Sequence, residues 1–80
     1  MLHARKIFRA FGFRFLFYSN DRLPIHVHVR NSDGEARFSI NPVQLLDNRG
    51  MKSKDLKFAE GLIEENEDII EQRWKEFSQQ

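Results

Sequence analysis

The chain contains no cysteine, which excludes disulfides, thiolate metal sites and cysteine nucleophiles. Two prolines and four glycines are spread over 80 residues, so no Pro- or Gly-rich linker divides the chain. No stretch approaches the roughly 20 apolar residues that a membrane-spanning helix needs. P-loop, dinucleotide-binding glycine, nucleophile-elbow and carboxylate-rich metal-loop patterns are all missing. The opening run MLHARKIFRAFGFRF is basic, then aromatic, and is cut by Arg9 and Arg14. It lacks a small-residue cleavage site and does not read as a signal peptide. These absences point to a cytoplasmic protein without membrane contact.

What the chain does have is bulk and charge. Apolar residues make up 40% and charged residues 31%, with eight Phe, one Tyr and one Trp. That balance suits one small folded domain spanning residues 1–80. The charge is uneven. Residues 1–40 carry seven Lys/Arg against three Asp/Glu, and residues 41–80 carry six against nine. A basic half joined to an acidic half suggests two surfaces with different partners, or self-neutralisation within one fold.

Residues 5–10 read as a strand, Phe11-Gly12 as a turn and residues 13–18 as a second strand. Period 2 sets Phe13, Phe15 and Phe17 on one face and Arg14, Leu16 and Tyr18 on the other. In residues 25–30, Ile25, Val27 and Val29 oppose His26, His28 and Arg30. In residues 35–40, Ala36, Phe38 and Ile40 oppose Glu35, Arg37 and Ser39. The link Asn31-Ser32-Asp33-Gly34 predicts a hairpin. A two-residue turn would put Arg30 opposite Arg37. A four-residue loop puts Arg30 opposite Glu35, and charge favours it.

Beyond Asn41-Pro42, Val43, Leu45 and Leu46 are expected to pack and Asn48-Arg49-Gly50 to turn. Ser53 is a candidate N-cap with Asp55 in the first turn. Apolar residues then recur at helical spacing from Leu56 to Phe77. Asn66 either caps a second helix starting at Glu67 or interrupts one long helix. The expected fold is α+β, with a three- or four-stranded antiparallel sheet in residues 1–46. A helical segment, residues 53–78, covers one face. The other sheet face would carry Arg14, Tyr18, His26, His28, Arg30 and Arg37.

On the segment PIHVHV, strand period puts both imidazoles on one face. Such a pair can act as general base and acid on a phosphodiester, ligate a metal, bind phosphate beside Arg, or simply make hydrogen bonds. No third ligand stands at a metal spacing, so neither a tight metal site nor a cofactor is expected. His3, Asp21 and Glu35 are candidates without a spacing argument, and Asp21 is better placed to orient a ring N–H. The strand residues Arg5, Lys6, Arg9, Arg14, Arg30 and Arg37, with Tyr18 among them, form a basic constellation suited to single-stranded nucleic acid. The acidic run Glu60, Glu64, Glu65, Glu67, Asp68 and Glu71 is a solvated helix face or a dock for a basic partner.

The run GFRFLFYSNDRLPIHVHVR, residues 12–30, resembles the signature of the bacterial domain-of-unknown-function family 4160. The likeness continues through Asp33-Gly34-Glu35-Ala36, Pro42-Val43 and Trp74. Leu23 departs from it, standing where members often have a second Pro. The resemblance implies a small prokaryotic protein, encoded beside a short partner in a toxin–antitoxin-like pair, and brings no established activity. It makes Tyr18, Ser19, Asn20, Asp21, Pro24, His26 and His28 site candidates.

Three functions are therefore expected in competition. The first is an interaction module whose His/Arg face, including Asn20 and Asp21, binds RNA or another phosphate-bearing partner. The second is a small metal-independent ribonuclease using His26 and His28. The third is a protein-binding or homodimeric module, because Phe8, Phe11 and Leu16 exceed what a small core covers.

Overall fold

A computed structural model describes residues 4–18 and 23–78. Five strands come first: β1 (Ala4–Ala10), β2 (Phe13–Tyr18), β3 (His26–Arg30), β4 (Glu35–Ser39) and β5 (Gln44–Arg49). Two helices follow, α1 (Ser53–Glu65) and α2 (Glu67–Ser78). The strands form one antiparallel sheet in chain order. The fold is α+β, with five strands where three or four were expected and two helices where one, possibly broken, was expected. The candidates His3, Ser19, Asn20 and Asp21 lie outside the described residues.

The core lies between the sheet and the helices. Phe13, Phe15, Phe17, Val27, Val29, Ala36 and Phe38 project from the strands onto Ala59, Ile63, Ile70 and Trp74 of the helices. Strand alternation and helix periodicity thus bury matching faces. The Phe17 ring meets Trp74 edge-on at 5.1 Å and stacks on Phe77 at 5.9 Å, which docks α2.

A two-residue turn joins β1 to β2. Ala10 pairs with Phe13, and both central residues have positive φ, 54° at Phe11 and 82° at Gly12. This pattern suits a type I′ hairpin turn, where Asn-Gly is the usual choice. A phenylalanine in the left-handed region costs on the order of 1–3 kcal/mol, and Phe11 is 74% exposed. Phe8 packs against the core, and Leu16 is buried on the sheet face opposite the helices.

The β3–β4 link takes the four-residue form. Arg30 pairs with Glu35 and His28 with Arg37. Asn31 Oδ1 accepts the backbone N–H groups of Asp33 at 2.9 Å and Gly34 at 3.1 Å. These two bonds close the loop from inside.

Three local expectations are corrected. Residues 44–49 form a strand along the sheet edge, and all six are exposed. Leu45 and Leu46 therefore do not pack, since β5 contributes nothing to the buried core; Val43 does pack against it. The sheet accordingly runs to residue 49 rather than 46. At the start of α1 the N-cap is Lys52, without a side-chain cap bond, and Ser53 is the first helical residue. Asp55 stands in the first turn as expected.

Between the helices, Asn66 leaves the helical conformation and a second helix starts at Glu67. Its side-chain amide donates back to the Leu62 carbonyl at 2.7 Å, and its own carbonyl accepts from Ile70 N–H at 3.0 Å. One residue thus closes α1 and opens α2.

Candidate functional site

The sheet face away from the helices carries the candidate residues, and strand register arranges them in rows. Arg9 pairs with Arg14, Arg14 with Arg30, Arg30 with Glu35, and Glu35 with Arg49. The next row runs Lys6, Leu16, His28, Arg37, Asp47. His26 pairs with Ser39 beyond it. Adjacent strands lie about 4.8 Å apart, so three arginines stand side by side over roughly 10 Å.

The first row depends on an irregularity in β1. Register shifts between Lys6 and Phe8, which leaves Ile7 as the extra residue of a β-bulge. A bulge reverses the parity of everything after it. Ile7 is buried by ordinary alternation after Lys6, and the bulge brings Phe8 to the same side, where it packs on Phe15 with ring centroids 4.5 Å apart. Lys6 and Arg9 then share the outer face. Arg5 departs from the expected basic constellation. It pairs with Phe17, and its guanidinium lies 5.4 Å over the Phe77 ring on the helix side.

Within this face the charges are not equivalent. Glu35 gathers three side chains that the sequence places far apart. Arg30 Nε lies 3.0 Å from Oε1, and His28 Nδ1 lies 3.4 Å from Oε2. The Tyr18 hydroxyl donates to Oε1 at 3.2 Å. Tyr18 and His28 also meet edge-on at 4.4 Å, and His28 meets His26 at 5.5 Å. The result is a ladder of aromatic rings, Tyr18–His28–His26, fixed at one end by a carboxylate. Among the described residues, no carboxylate forms an ion pair with Arg9 or Arg14.

Both imidazoles are held through Nδ1. His26 Nδ1 lies 3.0 Å from the Pro24 carbonyl, which can only accept, so that nitrogen carries the proton. His28 Nδ1 lies 3.4 Å from Glu35 Oε2, a pairing that is ionic when the ring is protonated. The His28 side chain is only 12% exposed, so packing and Glu35 hold it more firmly than its exposed-strand position suggests.

The structure thus brings Arg14, Tyr18, His26, His28, Arg30 and Arg37 onto one face. Asn20 and Asp21 lie outside the described residues. The residue that sequence reasoning underrated is Glu35. The signal for it was the four-residue loop, since that register sets Glu35 opposite Arg30. Among the described residues, no group of three or more His, Asp or Glu side chains is placed to hold a metal ion. Nor is any described helix long and apolar enough to cross a membrane.

No curated protein and no solved structure matches this chain. A family model described as a domain of unknown function, DUF4160, matches residues 12–75, from the β1–β2 turn to Lys75 in α2. That span takes in the Tyr18–His28–Glu35 cluster and the helices that support the sheet, and the chain belongs to the DUF4160 family.

Proposed function

We propose that this protein is a toxin–antitoxin-type interaction module whose outer sheet face binds single-stranded RNA. The observation that carries the reading is the cross-strand row Arg9–Arg14–Arg30. Like charges directly opposed on adjacent strands destabilise a sheet, by up to about 1 kcal/mol per pair. A bulge in β1 aims Arg9 into this row rather than out of it. Phosphates would neutralise the row, and the neighbouring Tyr18 and His26 rings offer stacking surface. The acidic outer residues of α1 and α2 are the complementary surface for a co-encoded basic partner.

Titrating the protein with an oligouridylate at about 50 and about 200 mM salt tests the reading. Three phosphate contacts in single-stranded RNA give a log–log salt slope near −2, so affinity falls about 20-fold over that range. Arg14→Ala is expected to weaken binding and flatten the slope by about 0.7. Glu35→Gln is expected to tighten binding, because it releases Arg30 from its carboxylate partner. Absence of binding at the lower salt, or a slope that Arg14→Ala leaves unchanged, overturns the proposal.

A second reading, metal-independent ribonuclease, draws on the paired imidazoles held through Nδ1. His26 and His28 would exchange base and acid roles, with Arg37 beside His28 steadying charge on the phosphorane. The low exposure of His28 places this reading second. Gel analysis of the same oligomer decides it. Chelator-resistant cleavage lost in both His26→Ala and His28→Ala supports catalysis, and cleavage that survives either substitution ends it.

A further inference from the structure

We propose that the tip of the β1–β2 hairpin is a base-stacking platform for single-stranded RNA, with Phe11 as the stacking ring and Arg9 and Arg14 as its phosphate contacts. The inference rests on the RNA reading of the outer face and deepens it by placing a nucleobase at one end of the arginine row.

The starting point is a residue in the wrong conformation for its type. Position 11 requires positive φ, 54°, which Asn or Gly adopts readily and Phe does not. Burial does not compensate, because Phe11 is 74% exposed. Its packing contact with α1 is an edge-on approach to Phe58, centroids 5.0 Å apart, and Phe58 is itself 46% exposed. A large aromatic ring thus stands in solvent where turn chemistry asks for a small polar residue, beside a half-exposed Phe58 that also packs 5.9 Å from Phe13. Strained, exposed positions of this kind collect at binding sites.

The surroundings identify the ligand. Arg9 and Arg14 pair one step in from the Ala10–Phe13 pair that closes the turn. An open concavity of about 380 Å³ lies between them and Phe11. On the other side, a second concavity of about 320 Å³ is lined by Phe11, Lys57, Phe58, Gly61, Leu62 and Glu65, so that its one cation stands beside a carboxylate. An aromatic ring edged by Arg and Lys matches a nucleobase with its phosphates, since every base offers a π-face and every linkage an anion. The arginine row on β1, β2 and β3 continues from this tip, so one strand can run from the platform across the sheet.

The test is Phe11→Asn, which removes the ring and relieves the backbone at once. The expected result is opposite in sign for two readouts. The melting temperature stays level or rises, while affinity for an oligouridylate falls about 5-fold or more. The salt slope stays unchanged, because Arg9 and Arg14 remain. Phe11→Trp keeps an aromatic face and is expected to retain affinity. If the wild type binds with a steep salt slope and Phe11→Asn binds equally well, the platform is wrong while the outer-face reading stands. If the wild type binds no RNA, both fall. A lower melting temperature for Phe11→Asn would mark the ring as a structural part of the turn. Loss of self-association with unchanged RNA affinity would assign the tip to a second copy of the chain. Either result overturns the proposal.

Discussion

Phe15→Ala is expected to destabilise the domain by about 3–5 kcal/mol, the range for deleting a buried phenylalanine ring. Phe15 is fully buried in β2, one strand in from the sheet edge. Its ring packs 4.5 Å from Phe8 and 6.3 Å from Phe13. Deletion leaves a cavity between sheet and helices that no neighbour can fill without leaving its own site. An 80-residue chain has a net stability of only about 5–15 kcal/mol at best, so the loss removes a large share of it. A urea midpoint shifted sharply downward, with unchanged cooperativity, is the expected observation. A near-wild-type midpoint would mean that the helices do not close on the sheet at this point.

Gly34→Ala is the second large effect, and here the cause is backbone contact. A Cβ at position 34 would overlap the Arg49 carbonyl oxygen and come within 2.9 Å of its carbon and 3.0 Å of Gly50 Cα. These are main-chain atoms of the neighbouring strand, so no rotamer change relieves the overlap. The start of β4 must move away from the end of β5. The cost belongs with other severe backbone substitutions, about 2 kcal/mol or more. Glu35 is the next residue, and its carboxylate holds Arg30, His28 and Tyr18. The substitution is therefore expected to lower the melting temperature and perturb the Tyr18 and His28 ring signals in one NMR spectrum. A variant that melts like wild type would contradict the close β4–β5 approach at Gly34.

These two positions also show what was legible in the sequence. The buried face of β2 could be read from alternation alone, because Phe13, Phe15 and Phe17 recur at period 2. The β3–β4 register was legible from charge, because only a four-residue loop pairs Arg30 with Glu35. Gly34 was visible as part of an Asp-Gly turn signal, but its packing against Arg49 was not. That contact depends on β5, and β5 carries little of a strand's signature. QLLDNR contains turn formers and no apolar alternation, and with every residue exposed there is no buried face to impose one. Its strand character comes from main-chain pairing with β4.

The candidate site was legible in part for a similar reason. Period 2 places His26, His28 and Arg30 together, and Arg14 and Tyr18 together. It misassigns Arg5 and does not predict the company of Arg9, because a bulge at Ile7 resets the parity of β1 and leaves no mark in composition. Glu35 was hidden differently. Its role comes from residues on β2 and β3 that meet only when the sheet forms, so one exposed glutamate in sequence becomes the shared acceptor of three side chains.

The proposed RNA site lies on the outer sheet face rather than on the helices. Amide and arginine side-chain NMR spectra of the labelled protein, recorded during an oligouridylate titration, test it most directly. Shifts are expected at Arg9, Arg14, Arg30, Tyr18 and His26, extending to Phe11, with Ile63, Ile70 and the acidic face of α2 unmoved. Shifts confined to α1 and α2, or none at saturating oligomer in low salt, would contradict it.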